Sequence, residues 1–96
     1  MTREEVIEKL SQCRDKIDTV DVSLVALLNQ RTAIVQEIGR LKHEAAMPVY
    51  EPKREDAVFR NITESNSGPL PDEAMRRIFE RIIDEMRTVQ RERMHK

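Results

Sequence analysis

Apolar residues recur through the first forty positions of the chain in alternating steps of four and three. This spacing places eleven positions on one stripe of a helix: Val6, Leu10, Cys13, Ile17, Val20, Leu24, Leu27, Arg31, Ile34, Ile38 and Leu41. Ten of the eleven are apolar or thiol, and the exception is an arginine. No proline interrupts the stretch, and its only glycine is Gly39. The pattern predicts a first helix over about residues 3–45.

The first helix is expected to end before Pro48, because a proline disfavours helical backbone at the residue that precedes it. A short extended connection follows. Pro52 then suits the first turn of a second helix over about residues 52–64, with Glu51 near its cap. Glutamate is a weaker cap than aspartate or serine.

A polar loop rich in serine, asparagine, glycine and proline separates the second helix from a third. The third helix is predicted over about residues 71–92, since a proline and acids stand at its start. Its apolar positions have helical period: Met75, Ile78, Phe79, Ile82, Ile83, Met86 and Val89.

The composition of the 96 residues favours one all-α domain, residues 1–96. Hydrophobic residues make up 39% and aromatic residues 3%, so the core must be aliphatic. Charged residues make up 36%, which suits long solvated helices. Only two glycines, Gly39 and Gly68, are present, which leaves little material for hairpin turns.

The charge balance argues against nucleic acid and anionic membranes as partners. Seventeen Lys and Arg residues stand against eighteen Asp and Glu residues, a formal net charge of −1. No apolar run approaches the length of a membrane span, and the first residues are polar, unlike a signal peptide.

Cysteine and histidine are too sparse for disulfide or metal chemistry. Cys13 is the only cysteine, so it excludes an internal disulfide and fits the reducing cytoplasm. His43 and His95 match no metal-ligand spacing. We therefore expect a cytoplasmic protein without metal or cofactor.

A helix of about forty residues would be roughly 60 Å long, whereas a compact domain of this size has a radius of gyration of about 13 Å. Its apolar stripe needs a partner along the whole length, and a second copy of the chain supplies one as a two-fold dimer. The alternative is a helix that kinks at Gly39 and folds back on itself.

Arg31 is the anomaly of the stripe, because a guanidinium in an apolar seam is costly unless an anion meets it. Lys42 follows eleven residues later, within about 20° of Arg31 and roughly 16 Å along the helix axis. Two cations on one face make a candidate site for a dianion. The alternatives are an inter-helix salt bridge or register-setting residue for Arg31, and a solvated surface residue for Lys42.

Arg14 flanks the same stripe but lies about 25 Å from Arg31 along the helix, too far to share a small ligand within one chain. In an antiparallel dimer, the first half of one helix lies beside the second half of the other. Arg14 of one chain could then complete the site of its partner, which would make the dimer a requirement for activity.

Three further polar residues cluster near the start of the second helix: Glu51, Arg54 and Glu55. They could equally form an ordinary charged helix start. Gln90 continues the apolar line of the third helix by one turn, and its default role is that of a surface amide.

An ordered set of short motifs resembles the all-helical chorismate mutases over nearly the whole chain. The motifs are residues 14–18 (RDKID), 27–31 (LLNQR), 35–42 (VQEIGRLK), 48–55 (PVYEPKRE), 68–70 (GPL) and 78–83 (IFERII). The resemblance implies an intertwined homodimer of three-helix chains with two sites, each built from both chains. It also implies the [3,3] rearrangement of chorismate to prephenate in aromatic amino acid biosynthesis, alone or fused to or in complex with another enzyme of that pathway.

The same resemblance implies roles for four cations. Arg14 from the partner chain and Arg31 would bind the two carboxylates of chorismate. Lys42 would contact a carboxylate and the ether oxygen, and Arg54 would support the anionic end of the substrate.

Three uncharged or acidic groups complete the implied site. Glu55 would accept a hydrogen bond from the ring hydroxyl with help from Glu51, and Gln90 would donate to the ether oxygen. Two positions depart from the family: Glu51 stands where relatives mostly have aspartate, and Met86 stands where some have a small polar residue.

The implied chemistry needs no nucleophile, metal or proton transfer, in keeping with the absence of a catalytic triad from the sequence. Two rival interpretations remain open. One is an isochorismate-pyruvate lyase on the same fold, although those relatives tend to lack a carboxylate beside the helix-2 arginine. The other is a non-catalytic helical dimerisation or regulatory module.

Overall fold

The structure, a computed structural model, describes residues 1–94, with side chains described through residue 92. It contains three helices: α1 (Arg3–Glu44), α2 (Pro52–Ser65) and α3 (Asp72–Met94). No strand occurs among these described residues. The predicted all-α class, with a very long first helix, is confirmed. Compared with the predicted bounds, α1 ends one residue earlier, α2 ends one later, and α3 runs from one residue later to two residues further.

Helix α1 begins at a capping residue that the sequence supplies. The Thr2 hydroxyl oxygen accepts a hydrogen bond from the backbone N–H of Glu5 at 3.1 Å, which satisfies one of the open donors of the first turn. Glu4 and Glu5 add negative charge at the positive end of the helix dipole.

Helix α1 ends in a Schellman motif. The backbone N–H of Met47 donates to the Lys42 carbonyl at 2.8 Å, and the N–H of Ala46 donates to the His43 carbonyl at 3.2 Å. Ala46 takes the left-handed conformation that this motif requires, with φ of 54°. The helix therefore stops through its own backbone bonds, and Pro48 follows two residues beyond Ala46.

The chain divides into two compact units, Met1–Arg31 and Thr32–Lys96, with the division inside α1. The first unit is helical from Arg3 onward. Residues 1–30 are all exposed, and Arg31 is partly buried.

The second unit holds the core of the described residues. Its buried apolar side chains are Val35, Ile83 and Met86. Helix α2 packs against α3, and the Arg76 guanidinium lies 4.2 Å from the ring centre of Phe59 across that contact. The Thr32 hydroxyl lies 3.6 Å from the Met86 sulfur, which links the last part of α1 to α3.

The loop between α2 and α3 is organised by one asparagine. The side-chain amide of Asn66 donates to the Leu70 carbonyl at 2.8 Å and to the Asp72 carboxylate at 2.7 Å. Its oxygen accepts from the N–H of Gly68 at 3.1 Å, and Gly68 has φ of 78°, which a glycine adopts without strain. Helix α3 therefore starts from a fixed point.

No helix in the described part of the chain has the length and apolarity needed to cross a membrane.

Candidate active site

Lys42, in the last turn of α1, is the one buried charged side chain among the described residues, with a relative exposure of 7%. Its ammonium group donates to the Val49 carbonyl at 2.9 Å and to the Gln90 side-chain oxygen at 2.9 Å. The Glu51 carboxylate lies 2.7 Å away as its ion-pair partner. An ammonium group has three donors, so these three oxygens occupy all of them.

This arrangement explains how Lys42 is tolerated inside the protein. A buried ammonium is costly unless its charge is paired and its hydrogens are bonded. Glu51 supplies the opposite charge, while Val49 and Gln90 supply neutral acceptors. The result is a cation held at a fixed place, where the end of α1 meets α3 and the connection that precedes α2.

Glu51 precedes Pro52, the first residue of α2, but its side chain makes no capping hydrogen bond. The carboxylate is bonded to Lys42 instead, and it is the more accessible member of the pair, with 39% of the side chain exposed against 9% for Lys42. The residue predicted as a weak cap is therefore the counter-ion of the buried lysine.

The contact with Lys42 fixes the orientation of the Gln90 amide. Lysine donates and never accepts, so the Gln90 atom facing it must be the carbonyl oxygen. The Nε2 group is left to donate elsewhere. A positive charge and an amide donor are thus held together at one point, an arrangement whose electrostatics favour negative charge on an oxygen atom bound there.

Glu55, one turn into α2, is held by a residue that the sequence analysis did not single out. The Arg87 guanidinium donates through Nε to one Glu55 oxygen at 2.8 Å and through Nη2 to the other. Both side chains are mostly buried. The hydrogen bond to Glu55 raises the pKa of the Arg87 guanidinium above its ordinary value, and burial opposes that shift.

A faint signal for Arg87 exists in the sequence. Arg87 follows the buried Ile83 by four residues and precedes Gln90 by three, so it borders the packed face of α3. A cation at such a position requires an anionic partner, as was argued for Arg31. The apolar periodicity of α3 selects Phe79, Ile83 and Met86 but not the charged residue that follows Met86.

The remaining predicted site residues lie elsewhere on the chain. Arg54 is exposed on α2. Arg14 and Arg31 belong to the first unit, where Arg14 is exposed and Arg31 is partly buried. The structure thus brings together Lys42, Glu51 and Gln90, while the roles of the three arginines stay predictions.

Met86, the second departure from the family pattern, belongs to the core. It is 7% exposed, and its sulfur lies near the Thr32 hydroxyl. It contributes packing to the second unit.

Residues 1–94 contain no group of three or more His, Cys, Asp or Glu side chains that could hold a metal ion. His95 lies outside the described residues.

The sequence profile of the family described as chorismate mutase type II matches residues 13–91. The chain belongs to this family. The match covers every residue gathered around Lys42 and the Glu55–Arg87 pair.

Known proteins support the assignment over most of the chain. It is 44% identical over 84 residues to the bifunctional chorismate mutase/prephenate dehydratase of Neisseria gonorrhoeae, an alignment covering 88% of this chain and 23% of that protein. The chain spans less than a quarter of the length of the first bifunctional relatives that it matches.

Two solved structures share the fold. Chorismate mutase from Thermus thermophilus (form II) is 36% identical with a TM-score of 0.84, and the match covers 86% of this chain and 94% of that one. Chorismate mutase from Helicobacter pylori, solved in complex with prephenate, is 26% identical with a TM-score of 0.85, covering 93% and 97%.

Proposed function

We propose that this chain is a chorismate mutase, an isomerase that rearranges chorismate to prephenate. Membership of the type II family and the likeness to an enzyme solved with prephenate support the substrate. The observation that carries the proposal is the buried Lys42 ammonium bonded to the Gln90 amide.

The rearrangement breaks the ether C–O bond and forms a C–C bond within one molecule, so it requires no nucleophile and no proton transfer. Partial negative charge builds on the ether oxygen in the transition state. Lys42 and the Nε2 group of Gln90 would donate hydrogen bonds to that oxygen, and a donor fixed in advance needs no reorganisation when the charge appears. One such donor is worth roughly 3–4 kcal/mol by analogy with oxyanion-hole deletions.

Substrate binding requires an exchange at Lys42. All three of its donors are occupied in the free protein, so a substrate oxygen must replace one of the present acceptors. Glu51 is the best candidate to leave because 39% of its side chain is exposed and a carboxylate can be solvated by water once it is released. Release of Glu51 would free its carboxylate to help bind the ring hydroxyl.

The arginines would bind the two carboxylates of chorismate. Arg31 of one chain and Arg14 of the partner chain would hold one carboxylate each, with Arg54 supporting the anionic end. Guanidinium groups suit this task because they bind carboxylates through two parallel hydrogen bonds. By holding the flexible dianion in its compact diaxial conformer they would lower the entropic part of the barrier.

Glu55 would accept the hydrogen bond of the ring hydroxyl. An ionised carboxylate is an acceptor only, so it favours a ligand that presents a donor. Its bonds to Arg87 keep this carboxylate on the side of α2 that faces α3.

We infer that the active form is a homodimer. The apolar stripe of the first unit is uncovered in the single chain: Val6, Leu10, Ile17, Val20, Leu24 and Leu27 are 41–58% exposed. Monomeric soluble proteins rarely leave so long an apolar surface in water. An antiparallel second copy would cover the stripe and bring Arg14 to the partner's site. The predicted association with another aromatic-pathway enzyme is compatible with the bifunctional relatives and stays a prediction.

The test is the loss of chorismate absorbance on addition of the pure protein, with prephenate identified as the product. We expect enzyme-dependent conversion without added metal or cofactor. Isochorismate is supplied in parallel, and release of pyruvate from it would favour the lyase instead. A well-folded protein that converts neither compound would point to the non-catalytic module.

A further inference from the structure

Arg87 makes a two-pronged contact with Glu55 across the α2–α3 interface. Its Nε donates to one carboxylate oxygen at 2.8 Å and its Nη2 donates to the other. The side chains are 27% and 18% exposed, respectively. This fork geometry fixes both the position and the plane of a carboxylate, which a single hydrogen bond cannot do.

Two more contacts hold Arg87 itself. Its guanidinium lies 5.3 Å from the ring centre of Tyr50, in the connection before α2, and its Nη1 is 3.7 Å from an Asp84 oxygen. The stacking and the second acid restrict the rotation of a long side chain. Glu55 is therefore held by a guanidinium whose own position is restricted by Tyr50 and Asp84.

The consequence for Glu55 is both geometric and electrostatic. Each of its oxygens gives one lone pair to Arg87 and keeps another for a further donor, so the carboxylate can still accept a hydroxyl hydrogen. The guanidinium also compensates a negative charge that would otherwise repel a dianionic ligand.

We propose that Arg87 is a positioning residue. It holds the Glu55 carboxylate in the orientation that receives the substrate hydroxyl, and its positive charge reduces the repulsion between that carboxylate and the dianionic substrate. The inference rests on the proposed chorismate mutase function. Arg87 itself touches no reacting atom in this scheme, so its effect passes through Glu55.

The first test replaces Arg87 by methionine, which keeps most of the side-chain length and removes the donors and the charge. We expect KM for chorismate to rise about tenfold while kcat changes by less than about threefold, because the lost interaction serves binding of the hydroxyl end in ground and transition states alike. Arg87→Lys restores the charge without the fork and should recover only part of the loss.

The matched control is Arg81→Met on the same helix. Arg81 is an exposed arginine paired with Asp84 and Glu85; it shares Asp84 with Arg87, but neither of its ion pairs involves Glu55. We expect its KM to stay within about twofold of the wild type. Thermal unfolding of every variant at one protein concentration separates lost folding from lost binding, and Arg87→Lys serves if the methionine variant does not fold.

A double-mutant cycle with Glu55→Gln decides whether Arg87 acts through Glu55. Once Glu55 has lost its charge, Arg87→Met should change KM by less than about twofold. If the wild type is active, two results would overturn the positioning role and leave the proposed function intact. One is that the KM effects of Arg87→Met and Glu55→Gln multiply in the double variant. The other is that Arg87→Met and Arg81→Met change KM equally. A folded wild type that does not convert chorismate would overturn the proposed function first, and the role of Arg87 with it.

Discussion

At the scale of single residues, Lys42 shows how one buried charge can join three segments of a small protein. The ammonium donates to the Val49 carbonyl in the connection before α2 and to the Gln90 amide oxygen on α3. It also pairs with the Glu51 carboxylate at the cap position of α2. The bonds that let the residue be buried also fix its position, and a ligand oxygen could bind there by replacing one of the three acceptors. Under the proposed function, Lys42 would combine a structural and a catalytic role in one side chain.

Removal of either central cation should nearly abolish catalysis. We expect Lys42→Ala and Arg31→Ala each to lower kcat/KM for chorismate at least a hundredfold, about 3 kcal/mol of transition-state stabilisation, since in the proposed site each removes a charged donor to the dianion. Steady-state kinetics provide the measurement, and size-exclusion chromatography should show that each variant remains dimeric.

Lys53→Ala is the matched control, since Lys53 is an exposed lysine near the start of α2. It should keep wild-type rates. Wild-type rates in the Lys42 or Arg31 variant would contradict the site as described.

Sequence spacing was enough to select Lys42, whereas the site that it shares with Glu51 and Gln90 was implied only by the family resemblance. Helical geometry relates Lys42 to other positions of α1, whereas the approach of Val49 and Glu51 depends on how the chain turns after Ala46. Arg87 was missed because its selection required knowing that α2 presents a carboxylate to α3 at that level. Contacts between elements are set by packing, which a single-helix pattern does not encode.

At the scale of elements, apolar periodicity and prolines were enough to predict the three helices. They did not predict how α1 ends. Sequence reasoning assigned the end to Pro48. The structure stops the helix with Ala46 in the left-handed region, where glycine is the usual residue and an alanine side chain is crowded. Because no glycine stands near the end of α1 at the left-handed position, the sequence carries no signal for the Schellman motif.

The strained alanine predicts a stabilising substitution. Ala46→Gly should raise the free energy of unfolding by about 0.5–1 kcal/mol, because it relieves the cost of the left-handed conformation by more than it adds chain entropy to the unfolded state. Urea unfolding at one fixed protein concentration measures the change.

Ala45→Gly is the control for this substitution. Among non-glycine residues of the described chain, Ala46 alone has positive φ, so a glycine at 45 gains nothing and should be neutral or destabilising. Equal effects of the two substitutions would contradict the assigned strain.

At the scale of the whole molecule, the family and the all-α fold were predictable because motifs from all three helices keep their order along the chain. The dimer could be inferred only from what the single chain leaves exposed. Cys13 belongs to the exposed stripe and offers a probe of its cover, since it is the only thiol.

We expect Cys13 to react with an aromatic disulfide reagent at least about tenfold more slowly in the native protein than in denaturant, because the partner helix would cover it. The control combines Cys13→Ser with Ser11→Cys, which moves the thiol off the stripe, and it should react quickly in both states. Reaction of native Cys13 at the unfolded rate would show that the stripe is uncovered in solution.

The measurement that tests the shared cationic site most directly is complementation between two inactive variants. Arg14→Ala and Lys42→Ala chains are unfolded, mixed in equal amounts and refolded, with each refolded alone as a control. Half of the dimers formed at random pair one chain of each kind, and each such dimer has one intact site of its two. We therefore expect about a quarter of the wild-type chorismate mutase rate from the mixture, while each variant alone stays below about a hundredth. A mixture no more active than its separate parents would contradict a site built from both chains around Lys42.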